Sequence, residues 1–201
     1  MSNINIIIPQ FRFDLIADRL ASIIALELNY QTAVSYDDTI DAKVFIERSI
    51  PIDASELPLV NVAFAGADYD NKKQTSKDGS YTFEIDVYTK SKTDATEMAD
   101  KKSIKALQRI LGIINYVLEH PAYKTLDFAP GFIATTLVQS IKIQDPKGAK
   151  DADSIKMGRI SFFVRVCETT TDQPTTNVSS LNTQVQIAES DQGYFYEVVN
   201  S

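Results

Sequence analysis

Tryptophan is absent from this chain of 201 residues, and cysteine and histidine occur once each. Without Trp, the core must be built from Phe, Ile, Leu and Tyr. A single cysteine, Cys167, excludes an internal disulfide, so the fold needs no oxidising compartment. One Cys and one His do not make a zinc centre. Any Ser-His-Asp or Cys-His arrangement would have to run through His120. That histidine precedes Pro121 at a helix end, where it meets the helix dipole or is simply exposed. Glycine is sparse, Gly148 stands alone, and no glycine-rich phosphate loop occurs, so nucleotide binding has no support. Long apolar runs are missing as well. Ile6-Ile7-Ile8 is too short for a secretory signal and no basic segment precedes it. No stretch has the length to cross a membrane. The expectation is a chain made and folded in the cytoplasm, with no membrane partner. Positive charge is in deficit, with Lys+Arg 20 against Asp+Glu 27 and a net charge of -7. Affinity for phosphate backbones rests on Lys and Arg, so nucleic acid is not an expected ligand. An acidic surface does suit a channel along which DNA slides without sticking, because like charges repel.

What is present is a normal globular share of hydrophobic residues, 44%, enough for one domain with a core and room for an arm. Residues 11–30 have helical spacing: Phe13, Ile16, Leu20, Ile23 and Ile24 form a stripe that must pack on something, most simply a sheet. Residues 41–50 predict a first strand closed by Pro51. Residues 58–64 predict a second, with Val60, Val62 and Phe64 on one face. Residues 66–79 are polar and predict a loop. Residues 81–88 then alternate, Tyr81, Phe83, Ile85 and Val87 against Thr82, Glu84 and Asp86. The strongest helix signal spans 94–119. Asp94 and Glu97 resemble a capping box at its start, and Ile104, Leu107, Ile110, Leu111, Ile114, Val117 and Leu118 form its apolar face. Gly112 weakens that helix slightly and is a candidate for close packing. Residues 133–143 predict a strand with Ile133, Leu137, Ile141 and Ile143 on one side. Residues 156–166 predict its partner, with Ile160, Phe162, Val164 and Val166 on one side and Arg159 and Arg165 on the other. A polar tip, 145–153, lies between them.

This order predicts an α+β fold: a mainly antiparallel sheet with two amphipathic helices on one face, over residues 1–168. Residues 169–201 read as a polar linker and an extended C-terminal arm. The arm either folds back on its own domain or docks on a neighbour, where it could add a strand to a sheet edge. The two long hairpin tips are solvated connections or contact loops held out by a rigid sheet.

Candidate chemistry is thin. Asp68-Tyr69-Asp70-Asn71 hints at a calcium loop, but Lys73 and Gly79 stand where such a loop needs Gly and a bidentate Glu. Asp145, Asp151 and Asp153 suit a solvated loop better than a cation site. Glu84 and Asp86 share a strand face, and cross-strand pairing with Arg159 and Arg165 is favoured over a catalytic carboxylate pair. The expectation is a non-enzymatic protein with no cofactor and no metal. The competing enzyme reading, a small metal-dependent hydrolase, would centre on Asp68 and Asp70 or on Asp145, Asp151 and Asp153.

The amphipathic helix, then Leu57-Pro58-Leu59-Val60-Asn61-Val62, then Tyr81-Thr82-Phe83-Glu84-Ile85-Asp86-Val87-Tyr88-Thr89, the long helix, Ile133-Ala134-Thr135-Thr136 and Gly158-Arg159-Ile160-Ser161-Phe162-Phe163-Val164 together resemble the tail terminator (tail completion) proteins of long-tailed bacteriophages and related contractile injection machines. The resemblance covers about residues 10–168 and rests on element order and strand texture. It implies a ring of identical subunits, typically a hexamer, seated on the last ring of the tail tube. That ring halts polymerisation and offers its other face to the neck or connector, with the sheath as a further neighbour and DNA passing through the lumen. It implies a place in the virion tail after assembly in the host cytoplasm. The loop residues Asp68, Tyr69, Asp70, Lys72 and Lys73, and Lys147, Lys150 and Asp151, are then candidates for tube or neck contacts. Tyr194, Phe195 and Tyr196 are candidates for clasping an adjacent subunit. A head-completion or neck connector protein is the nearest alternative.

Overall fold

The structure, a computed structural model, describes residues 11–48, 54–69, 76–91, 98–144, 154–169, 183–190 and 193–200. The chain forms two compact units, 1–169 and 170–201. The first begins with helix α1, Arg12–Ser35, which buries Ile16, Leu20, Ile23, Ile24 and Leu28. It runs past residue 30 because Gln31 to Val34 continue the helix. Thr32 and Ser35 hydroxyls donate back to the Leu28 and Gln31 carbonyls, and Tyr36 ends the helix in the left-handed region at φ 52. A short turn, Asp38–Ile40, follows, capped by Asp37, whose carboxylate accepts the Thr39 N–H. The Thr39 hydroxyl, which donates to the same carboxylate at 2.6 Å, holds the Asp37 carboxyl below its ordinary pKa; burial opposes it, and the Thr39 N–H and Arg109, 3.1 Å away, add to it.

Strand β1, Lys43–Ile46, is four residues long, shorter than the segment 41–50, and pairs parallel with β2, Leu59–Tyr69. Strand β3, Ser76–Ser91, pairs antiparallel with β2 and with β5, Ser154–Thr169. Between them in sequence come α2, Ala99–Glu119, and β4, Ile133–Gln144, which pairs antiparallel with β5. The order across the sheet is β1-β2-β3-β5-β4. The expected α+β fold is present: a mainly antiparallel sheet with both helices on one face. One core cluster joins the inner sides of α1 and α2 to Val60, Val62, Tyr81, Phe83, Ile85, Val87, Ile160, Phe162, Val164 and Val166. Each fully buried large apolar side chain contributes about 1.5–3 kcal/mol.

Four expectations are corrected. Residues 66–69 and 76–79 are not loop but strand: Gly66, Ala67, Asp68 and Tyr69 pair with Thr82, Tyr81, Ser80 and Gly79. Ala67 still packs against the core there, although Gly66, Asp68 and Gly79 read as turn residues in sequence. Helix α2 starts at Ala99, not Asp94, and its N-cap, Met98, makes no side-chain cap bond; Asp94 and Glu97 lie outside the described residues. Leu137 does not share a side with Ile133, Ile141 and Ile143. Register shifts between Ile133 and Thr135 and between Val138 and Ser140 change the parity twice, so Leu137 stands opposite Phe163 while Ile133, Ile141 and Ile143 stand opposite Val166, Ile160 and Gly158. Close helix packing falls to Gly158 rather than Gly112. A Cβ on Gly158 would lie 2.6 Å from Leu111 Cδ1, whereas one on Gly112 would meet nothing within 4 Å.

The second unit is a two-stranded antiparallel hairpin where it is described: β6, Thr183–Ser190, and β7, Gly193–Asn200.

Candidate assembly surfaces

Of the residues singled out as contacts, Asp68 and Tyr69 lie on β2 near the end of the β2–β3 ladder. Tyr69 is exposed on one side, and its ring meets Tyr81 edge-on at 6.2 Å. It can do so because Gly79 lies opposite: a Cβ there would come within 3.2 Å of both tyrosine rings. Tyr194, Phe195 and Tyr196 lie along β7, in register with Glu189, Ala188 and Ile187. Asp70, Lys72, Lys73, Lys147, Lys150 and Asp151 lie outside the described residues, as do Asp145 and Asp153. Asp68 is paired with Ser80 on β3.

Seven of the twelve exposed large apolar residues among those described lie in two places. One is β4, a twelve-residue strand with a partner on one side only among the described residues. Leu137, Ile141 and Ile143 are 52%, 43% and 47% exposed there. Edge strands normally carry charge; β4 has one charged residue, Lys142. The other place is the second half of α1, where Leu26, Tyr30 and Val34 recur every fourth residue on the side turned from the core, followed by the exposed Tyr36. Helix α1 packs on β1 and β2, at the end of the sheet away from β4. The four-residue spacing was a readable signal for a second helix face, overshadowed by the stronger core stripe.

Between α1 and α2 runs a groove of about 570 Å³ floored by Ile113 and Val117 and flanked by Glu27, Arg109, Tyr116 and Tyr123. The helices are tied across it by the Tyr123 hydroxyl, which donates to Glu27 Oε1. That bond raises the Tyr123 pKa, as does burial. Arg19 donates to the Leu126 carbonyl and pairs with Asp127, fixing the segment that follows α2. His120 stands at this end. Its Nδ1 accepts the Ala122 N–H at 3.2 Å, so it caps the 3-10 turn Pro121–Tyr123. That is a structural role beyond the dipole or plain exposure expected of it.

On the sheet face opposite the helices, Arg159 joins two carboxylates. Its Nε and Nη2 reach Asp86 Oδ1 and Oδ2 at 2.6 and 2.8 Å, and its Nη1 reaches Glu84 Oε2 at 2.6 Å. Arg165 stands opposite Ser80, away from both acids. The hydrogen bonds to Asp86 raise the Arg159 pKa. Burial raises the neighbouring Tyr88 pKa, and the Asp86 charge raises it further. Asp86 is buried and fully engaged by the guanidinium, an arrangement that fastens β3 to β5.

Among the described residues, no group of three or more His, Cys, Asp or Glu is placed to hold a metal ion, and no helix is long and apolar enough to cross a membrane. No family model and no curated protein matches this chain. Among solved structures, the chain is similar to one from the virion of a native gene transfer agent particle, with 15% identity over 74% of this chain and 98% of that chain, and a TM-score of 0.42.

Proposed function

We propose that this chain is a non-enzymatic structural protein of a virion, and that it closes the end of a tail tube. Copies form a ring, a hexamer by the resemblance drawn from the sequence, that seats on the last tube ring and stops its growth. The ring's far face receives the neck or connector, the sheath is a possible lateral neighbour, and DNA only passes through. Such a protein resides in the virion tail after assembly in the host cytoplasm.

The observation that carries this reading is the placement of exposed apolar surface. Seven of the twelve exposed large apolar residues among those described sit at the two opposite ends of one sheet, on β4 and on the outer side and end of α1. Two unlike surfaces at opposite ends are what a head-to-tail interface needs, and a head-to-tail interface closes into a ring when its rotation returns to the start. The element order that underlies the resemblance is supported by the helix-strand-helix-strand arrangement of the first unit. The net charge of -7 suits a lumen through which DNA moves without adhering.

The test is electron microscopy of particles made without this protein. Tails of uncontrolled length, or tails that fail to join heads, are expected. Tails of normal fixed length joined to heads reject the reading. Mass measurement of the purified protein separates the neighbouring role: monomers that form rings only on tube ends mark a terminator, and a dodecameric habit marks a connector.

A further inference from the structure

Two features of the described residues suit one another. The first is β4. Up to Val138, whose N–H donates to Glu119 Oε1 at 3.3 Å, its outer side is covered by the segment around the end of α2; beyond it, residues 139–144 present backbone N–H and C=O groups along about 20 Å, at roughly 3.3 Å per residue. Ile141 and Ile143 lie two residues apart on its helix-bearing side, opposite Ile160 and Gly158, and both are nearly half exposed. The second is the hairpin β6–β7. A two-stranded hairpin alone is marginal in water and is stabilised by a third strand or an apolar surface. The register pairs Val185 with Val198 and Ile187 with Tyr196, so apolar residues hold alternate positions in both strands, and two pairs further along Tyr194 is paired with Glu189.

The charges are complementary. Strand β4 has Lys142 and no acid. Residues 183–200 carry Glu189, Asp191 and Glu197 and no Lys or Arg. The spacing is complementary too, since Ile141 and Ile143 share the period of Val185 and Ile187 and of Tyr194, Tyr196 and Val198. Residues 170–182 span up to about 45 Å when extended, long enough to carry the hairpin to a neighbouring subunit.

Resting on the ring reading above, we infer that the C-terminal hairpin of one copy adds to the β4 edge of a second copy beyond Val138, extending its five-stranded sheet and bringing the alternate apolar positions of the hairpin beside Ile141 and Ile143. Backbone hydrogen bonds along the new ladder supply affinity, and the alternate side chains supply register. A donor hairpin and an acceptor edge on the same chain make a head-to-tail joint when they engage between copies.

The test uses the full chain in a Cys167→Ser background. One preparation carries Ile141→Cys and a second carries Tyr196→Cys; both sites are chosen to leave the core intact. The two are mixed at millimolar concentration and treated with a short bismaleimide. Covalent heterodimers are expected as the main product, and Lys142→Glu in the first partner is expected to lower their yield several-fold. Absence of heterodimers overturns the inference. So does a third preparation carrying both cysteines that cross-links only within single chains, because the hairpin then covers its own edge. Rings on tube ends without heterodimer cross-links would leave the tube-closing role standing on another joint. Heterodimer cross-links in a protein whose loss leaves tails normal would keep the joint and reject the role.

Discussion

At Gly158 α2 lies close against the sheet, and the space beside the glycine belongs to Leu107 and Leu111. Both leucines are buried in the core, so neither can move aside without disturbing its own packing. Gly158→Val should lower unfolding free energy by about 1–3 kcal/mol, read from a urea melt. Gly112 is the opposite case. It sits in the helix with open space where a Cβ would go, so Gly112→Ala should raise stability by about 0.5–1 kcal/mol. Tyr36 is a third case. It is 93% exposed and holds a left-handed conformation, which costs a non-glycine residue about 1–2 kcal/mol. Tyr36→Gly should therefore raise the melting temperature, since glycine is at ease where a helix ends this way. A fall instead would mean that the ring makes a contact worth more than that strain.

At the scale of elements, the Arg159 cluster pins β3 to β5 on the face the helices leave uncovered. Arg159→Ala should cost about 1–3 kcal/mol, chiefly by leaving Asp86 buried without its partner. Asp86→Ala and Arg159→Ala together should cost less than the sum of the two, by a double-mutant cycle on chemical denaturation. The pairing of two acids with an arginine was readable in sequence from the alternation of Glu84 and Asp86. Which arginine was not, because that is set by register, and register comes from the whole ladder. The same division runs through the other elements. The cores of β2, β3 and β5 and the apolar faces of both helices were legible, since burial on one side imposes a period. The outer part of the β2–β3 ladder was not, because Gly66, Asp68 and Gly79 are residue types that read as turn in sequence. The side of Leu137 was hidden by two extra residues in β4, and the parallel pairing of β1 by its four-residue length.

For the molecule as a whole, the candidate contact surface was only partly legible. The aromatic run of β7 stood out, while the β4 edge became visible only once the sheet order put β5 between β3 and β4. The titration of the first unit gives a further prediction. Tyr88 and Tyr123 both have pKa values raised above the ordinary 10.0. The folded state therefore holds their protons more tightly than the unfolded state, so their contribution is full below pH 10 and is lost as pH rises beyond it. Stability measured by denaturant should fall on the alkaline side of pH 10, and Tyr88→Phe should make that fall shallower.

The sheet order has a consequence for timing. Strand β4 is synthesised before β5, yet it reaches the rim only through β5, which must insert between it and β3. A ribosome-bound chain that has not yet released β5 holds no completed sheet and offers no rim for another subunit to find. Pairings so distant in sequence form slowly. Newly made copies thus pass through an interval without a completed rim, and the joining of copies inferred above would begin only after each has folded by itself.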